Sequence, residues 1–299
     1  MKRFICYMAL FFGLILLIDR LSGLCFDYLN SHAIGGDTAN QYYVCKQTDE
    51  DILIFGSSRA NHHYIPSIIE DSLDVSCYNC GIDGNGILLH YGRYRLITDR
   101  YTPKIIIYDL VTAFDISQND NLKYLDQLKQ YHDEAGIIDL FDDVSPMERY
   151  KLYSKLYQYN TKFIQMLSDN IRPQQLVIKG YKPIYKTMDY EPKAQEPGQK
   201  GLTVDSLKLK YLEKLIMDTQ TKGIRLIFMI SPNYKAKSSV EFDAAKEIIA
   251  RYGLPLYDFY SDEEISFDKS FWGDSFHLND EGAQTFTRKI IPILREYIK

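Results

Sequence analysis

Apolar positions along this chain follow two patterns. Short, nearly unbroken apolar runs recur at 51–56, 75–79, 104–111, 224–230 and 254–259. Runs of that length and continuity predict strands buried on both faces. Between them, apolar residues repeat at helical spacing over 65–73, 87–101, 204–222, 239–252 and 279–297. Pro66 opens the first of these helices, and Asn279 is placed to cap the last. Strands alternating with helices predict an α/β fold, a parallel sheet covered on both faces. The rhythm breaks after Asp115. Residues from about 116 to 203 read as mostly helical, with helical spacing over 147–167, and then as a polar loop over 180–201 carrying Pro183, Pro192 and Pro197. This stretch is expected to be an insertion in the domain.

The amino end has its own pattern. Met1-Lys2-Arg3 is basic, and residues 4–18 are 15 positions without a charge, closed by Asp19 and Arg20. A full span takes about 20 apolar residues, and a signal-peptide core roughly 7–15. A small-x-small cleavage site is missing, and in Leu21-Ser22-Gly23-Leu24-Cys25 a leucine precedes the cysteine where a lipoprotein signal has a small residue. Three readings fit: an uncleaved signal anchor, which we prefer, a cleaved signal, and a soluble core helix. Lys2 and Arg3 favour a cytoplasmic amino end, which leaves the remainder in the periplasm or outside the cell. The expected layout is a signal anchor over 1–24, a linker over 25–50, and one α/β domain over 51–299.

Composition narrows the function classes. With 299 residues, 45% of them apolar and 25% charged, the chain is neither disordered nor fibrous. A net charge of −5 without a dense Lys/Arg cluster argues against a nucleic-acid partner. The 25 tyrosines are compatible with stacking on sugars. Cys25, Cys45, Cys77 and Cys80 form an even set that an oxidising compartment could pair, or they are buried thiols. Cys77-x-x-Cys80 has redox spacing but ends a predicted strand instead of opening a helix, so a structural role is expected. Neither a metal nor another cofactor is expected, since a second close ligand pair is absent from the sequence.

Ligands of open α/β sheets bind beyond the carboxyl ends of the strands, which singles out the turns at 56–60, 81–86, 112–115 and 273–277. A serine nucleophile needs a base. Of the six histidines, at 32, 62, 63, 90, 132 and 277, only His277 follows the last predicted strand with a carboxylate, Asp274, three positions earlier. Asp274 could fix the imidazole tautomer, leaving the other ring nitrogen to serve Ser58. The amide of Gly84 has no side chain over it and could face an oxyanion. Each feature also has a plain reading: Ser58 as a turn residue, Asp274 and His277 as a helix-entry network, Gly81 and Gly84 as turn glycines. His62 and His63, as neighbours, are expected to point apart in surface or packing roles. The nucleophile-elbow pattern fails because Ala60 stands where it needs glycine. Gly81-x-x-Gly84-x-Gly86 reverses the dinucleotide order.

Gly56-Ser57-Ser58, then Asn79-x-Gly81-x-x-Gly84, then Asp274-x-x-His277 resembles the SGNH (GDSL-like) hydrolase family. The resemblance spans most of 51–115 and 204–299, with Ser57 where the family often has Asp. The anchored start and the Gly-Ser-Ser-Arg form look like its membrane-anchored, Bacteroides-like members. It implies a flavodoxin-like three-layer sheet, Ser58 as nucleophile, His277 as base, Asp274 as its orienter, and the amides of Ser58 and Gly84 as oxyanion donors. The third block departs: the family's Asn is missing between Asp109 and Asp115, and Asn85, Thr112 and Asn119 are the candidates to replace it. Losing one such donor commonly costs on the order of 10²–10³ in rate. The function implied is an extracytoplasmic esterase or O-acyltransferase acting on acyl, especially acetyl, esters of envelope or exported glycans. The alternative is a degenerate member that binds glycan or an assembly partner.

Overall fold

The computed structural model of the chain describes residues 1–172, 177–192 and 203–298. Helices α1 (Lys2–Ser31) and α2 (Gly36–Lys46) precede the sheet. There follow β1 (Ile52–Gly56), α3 (Ser58–His63), α4 (Pro66–Leu73), β2 (Cys77–Asn79), α5 (Ile87–Thr98) and β3 (Ile105–Asp109). Six short helices come next: α6 (Thr112–Asp115), α7 (Asn121–Leu125), α8 (Ile138–Val144), α9 (Glu148–Lys151), α10 (Lys155–Tyr159) and α11 (Phe163–Ile171). The chain returns through α12 (Ser206–Thr221), β4 (Arg225–Ile230), α13 (Asp243–Arg251), β5 (Leu256–Asp258) and α14 (Asp280–Ile298).

The five strands are all parallel, in the order β2-β1-β3-β4-β5. Successive strand residues face opposite sides of a sheet. Leu53, Phe55, Ile106, Tyr108 and Phe228 therefore join a core under α5, α12 and α13, while Ile52, Ile54, Ile105, Ile107 and Ile227 join a second core under α4 and α14. Both faces are apolar, which is why the strands read as continuous runs. From β1 the chain crosses to β2 on one side and later to β3 on the other. The carboxyl ends of β1 and β3, where Gly56 lies beside Asp109, thus form the switch point at which such sheets bind ligands.

Two expectations need correction. The segment 25–50 is mostly helix, not linker. α1 runs unbroken through Asp19 and Arg20 to Ser31, and α2 sends Val44 and Cys45 into the core. Within α1 the Asp19 carboxylate is met from outside the helix, by the Ser154 hydroxyl at 2.7 Å and the amides of Lys155 and Leu156 at 3.0 Å. The helical stretch 147–167 is broken into three pieces, with the Ser154 hydroxyl capping α10 through the Tyr157 amide. Of the two readings of the cysteines, the structure has free thiols at all five positions. Cys45, Cys77 and Cys80 are buried, and burial pushes each of these three above the ordinary thiol range.

The insertion is clasped at its base, where Ser117 and Val204 form an antiparallel bridge. Of the expected loop at 180–201, residues 193–201 lie outside the described residues. Residues 177–192 form a strap over the carboxyl rim of the sheet. Its backbone bonds to Asn79, Asn61, Trp272 and Asp280 in turn. This strap closes one side of the site described next.

Candidate active site

The chain leaves β1 through Gly56, whose φ of 141° suits glycine alone. A Cβ there would meet the Asp109 carbonyl at 2.6 Å and the Ala60 side chain at 2.9 Å, so the turn packs directly on the end of β3. Ser58 then opens α3, and its amide has no acceptor within the helix. On the far side of the rim, the loop before α14 carries His277. Asn279 caps α14, accepting from the Gly282 amide at 2.9 Å, and this fixes the loop two residues after the histidine.

The two strand-end groups meet although 219 positions separate them. His277 Nε2 lies 2.7 Å from Ser58 Oγ. On the other ring nitrogen, Nδ1 lies 3.0 Å from each carboxylate oxygen of Asp274. A carboxylate only accepts, so Nδ1 carries the proton and Nε2 is left to accept from the Ser58 hydroxyl. Asp274 is itself held by the amides of Phe276 and His277 at 2.9 and 3.0 Å. Burial raises the Asp274 pKa, but hydrogen bonding from His277, its charge and those two amides outweigh this and bring it down to about 2. The carboxylate therefore stays ionised through the physiological range.

Opposite, Gly84 has a φ of 69° and nothing within 4 Å of where a Cβ would stand, so the space over it is open. The candidates for a third oxyanion donor are engaged elsewhere. Thr112 Oγ1 donates to Glu241 at 3.1 Å, Asn85 Nδ2 folds back on the Asp83 carbonyl at 2.9 Å, and Asn119 Nδ2 donates to the Ala113 carbonyl at 2.7 Å. Asn85 and Asn119 satisfy local turns, while Thr112 bonds a carboxylate that the chain brings back from 129 positions away.

His62 and His63 turn to different partners, as adjacent residues do, yet both rings lie near the pair, 5.0 and 6.5 Å from that of His277. His62 lies one helical turn after Ser58, with Nδ1 on the Lys182 carbonyl of the strap at 2.6 Å and Nε2 at 3.3 Å from Asp83. Burial raises the Asp83 carboxyl, but the His62 hydrogen bond and the Lys182 charge outweigh it and hold it below the ordinary range. His63 is fully buried. Its Nε2 accepts from the Leu278 amide at 3.1 Å, so Nδ1 donates to Ser231 Oγ at 3.1 Å. Ser231 donates in turn to Asp109 at 2.8 Å, and Asp109 also receives the Tyr64 hydroxyl at 2.9 Å. Burial, with smaller contributions from the neighbouring His277, Arg59 and His62, holds the His63 pKa well below the ordinary range, so its ring is neutral. A chain of buried hydrogen bonds thus runs from the end of β3, through the end of β4, to the residue after His277. Asp109 ends β3 and Ser231 follows β4, outside the turns that the sequence singled out, and the pairing with His63 had no sequence signal.

Arg59, next to the serine, is buried across the sheet rim, donating to the carbonyls of Leu110 at 2.6 Å and Ser231 at 3.4 Å. It ties the start of α3 to the ends of β3 and β4. Ser57 is also fully buried. Among the described residues, no group of three His, Cys, Asp or Glu side chains stands close enough to hold a metal ion.

Protein-family models give no match, and neither do curated protein sequences. Solved structures give loose likenesses. One is a psychrotrophic esterase, EstA, from Pseudoalteromonas sp., inhibited by monoethylphosphonate, at 13% identity and a TM-score of 0.45, covering 84% of this chain and 99% of that one. Another is a gut microbial diltiazem-metabolizing enzyme at 11% identity and a TM-score of 0.39, covering 83% of this chain and 47% of that one. Likenesses this loose leave the chemistry to be decided by the residues themselves.

Proposed function

We propose that the chain is a serine esterase or O-acyltransferase of the SGNH type, with Ser58 as nucleophile, His277 as general base and Asp274 as the group that orients it. The single observation behind this reading is the 2.7 Å contact from Ser58 Oγ to a ring whose other nitrogen faces Asp274 at 3.0 Å. The proton of Ser58 passes to Nε2 as Oγ attacks the acyl carbonyl. The amides of Ser58 and Gly84 receive the oxyanion. The protonated ring then gives its proton to the leaving alcohol, which departs and leaves the acyl group on Ser58. Water, or a sugar hydroxyl in the transfer reaction, loses its proton to Nε2 as it attacks, and Ser58 is restored.

An acetyl ester of an envelope or exported glycan is the substrate class we favour, on the family resemblance and the tyrosine content. The strap at 177–192 is our candidate for the acceptor wall, since it bonds to His62 beside the reacting pair. α1 is long and apolar enough to cross a membrane, and we read it as an anchor with Lys2 and Arg3 in the cytoplasm and the catalytic domain outside. Turnover of p-nitrophenyl acetate by wild type and Ser58→Ala tests the chemistry. The reading requires a rate that the variant loses; equal background rates in both would end it.

One observation favours a second reading. Thr112, Asn85 and Asn119 are each bonded elsewhere, which leaves two amides to hold the oxyanion. A degenerate member would bind an acylated glycan without cleaving it. Measurable glycan binding together with an unreactive Ser58 would decide for this alternative.

A further inference from the structure

The free part of α1 is too short for a bilayer. Residues 1–18 are exposed, but from Asp19 onward one side of α1 is docked on the insertion, with Asp19, Gly23 and Asn30 buried there. The uncharged stretch 4–18 has 15 residues, about 22 Å of helix, against a hydrocarbon core of about 30 Å. Another five residues or so, to about Gly23, are needed to complete the crossing. The docked part of α1 and the protein packed on it must therefore reach the membrane boundary.

What is packed there is the elbow between α9 and α10. Ser154, Lys155 and Leu156 receive the Asp19 carboxylate, which shields that charge from lipid. From this point α10 and α11 follow α1 away from the membrane. Lys155 packs on Gly23, then Tyr159 and Phe163 pack on Phe26, and Asn170 bonds to the Leu29 carbonyl at 2.9 Å. Among the described residues of the insertion, the elbow packs on α1 nearest its amino end. Its surface carries four apolar or aromatic side chains, Met147, Tyr150, Tyr153 and Leu156, at 62%, 64%, 68% and 43% exposed, with the basic Arg149 and Lys151 exposed beside them. On the free side of α1, Leu21 and Leu24 continue the apolar surface. Tyrosines flanking an apolar span match the composition of a membrane–water interface.

We propose that the elbow at 147–156 is seated in the interfacial layer of the phospholipid bilayer that α1 crosses, so that the domain rests on the membrane at a fixed height instead of swinging from a tether. This rests on the reading of α1 as a membrane span.

The test uses the full chain in vesicles of phosphatidylcholine and phosphatidylglycerol, with brominated lipids as quenchers. The only native tryptophan, Trp272, is fully buried, so wild type supplies the background. Phe11→Trp reports on the span and Tyr153→Trp on the elbow, both at exposed positions. Phe11→Trp is expected to be quenched most by bromine near the chain ends, and Tyr153→Trp most by bromine close to the headgroups. Quenching of Phe11→Trp alone would overturn the seating and leave the span intact. Quenching of neither would overturn both. Blue-shifted but unquenched emission from Tyr153→Trp would show that protein, a second copy or another chain, covers the elbow, and would also overturn the proposal.

Discussion

The two halves of the rim are built to different standards. On the histidine side every group has a partner. Asp274 holds His277, and the loop carrying His277 is pinned from behind by His63, Ser231 and Asp109. On the β3 side, where a third donor would complete an oxyanion hole, Thr112 bonds to Glu241 and Asn119 to Ala113. On the proposed reading proton transfer has all its partners in place, whereas charge stabilisation would fall to the backbone amides of Ser58 and Gly84. The difference teaches that catalysis, in this account, depends far more on the histidine side than on any side chain following β3.

Substitutions can break that comparison. Ser58→Ala is expected to abolish turnover of p-nitrophenyl acetate, a loss of about 10⁴-fold or more, with the fold intact by circular dichroism. Asp274→Asn keeps the size of the side chain but can no longer hold the imidazole in one tautomer, and a fall of roughly 10³-fold in kcat is expected, with KM little changed. Ser231→Ala removes the partner of His63 Nδ1 and one donor to Asp109. Leaving buried groups unpaired costs about 1–3 kcal/mol, to be read from urea denaturation. Loosening the His277 loop should lower kcat by about tenfold, since small misplacements of a reacting group are costly. Thr112→Val and Asn119→Ala should change kcat by less than about threefold, because neither side chain is free to donate to an oxyanion. A loss of 10²-fold or so in either would show that the β3 side does supply a donor after all.

Acid stability sharpens the same contrast at a smaller scale. Burial keeps His63 and His90 neutral, with pKa values well below the ordinary 6.5. Once unfolded, each ring takes up a proton below 6.5 and the folded state does not. Their contribution to stability is therefore complete above that pH and is lost as pH falls, by at most about 1.4 kcal/mol per unit for each ring. In His90→Phe, urea midpoints between pH 7.5 and 5.5 should fall less steeply than in wild type, and the remaining slope from this pair belongs to His63 in the relay.

Much of this was legible in the chain because the physics involved is local. Both faces of the sheet are covered, so its strands are continuous apolar runs, and each was found within two or three residues of its ends. Ser58, Asp274 and His277 follow from the strand-end rule and from the need of a serine for a base. The parts that were not legible depend on distant partners. Asp19 reads only as the end of an uncharged run; its partner Ser154 lies 135 positions away. α2 reads as a linker because its pattern is mostly polar, and its place in the fold is set by contacts such as the Gln41 amide on the Gln127 carbonyl at 3.0 Å. His63 looked like packing because its role depends on Ser231, 168 positions on. The missing third donor was legible as an absence; that each substitute candidate is already engaged, Thr112 by the distant Glu241, was not.

The most direct test of the central claim is covalent labelling of the full chain with a fluorophosphonate, read by intact mass and peptide mapping. The account predicts one adduct, on Ser58, formed rapidly by wild type and lost in His277→Ala. An unlabelled Ser58, or a Ser58 labelled equally fast without His277, would contradict it.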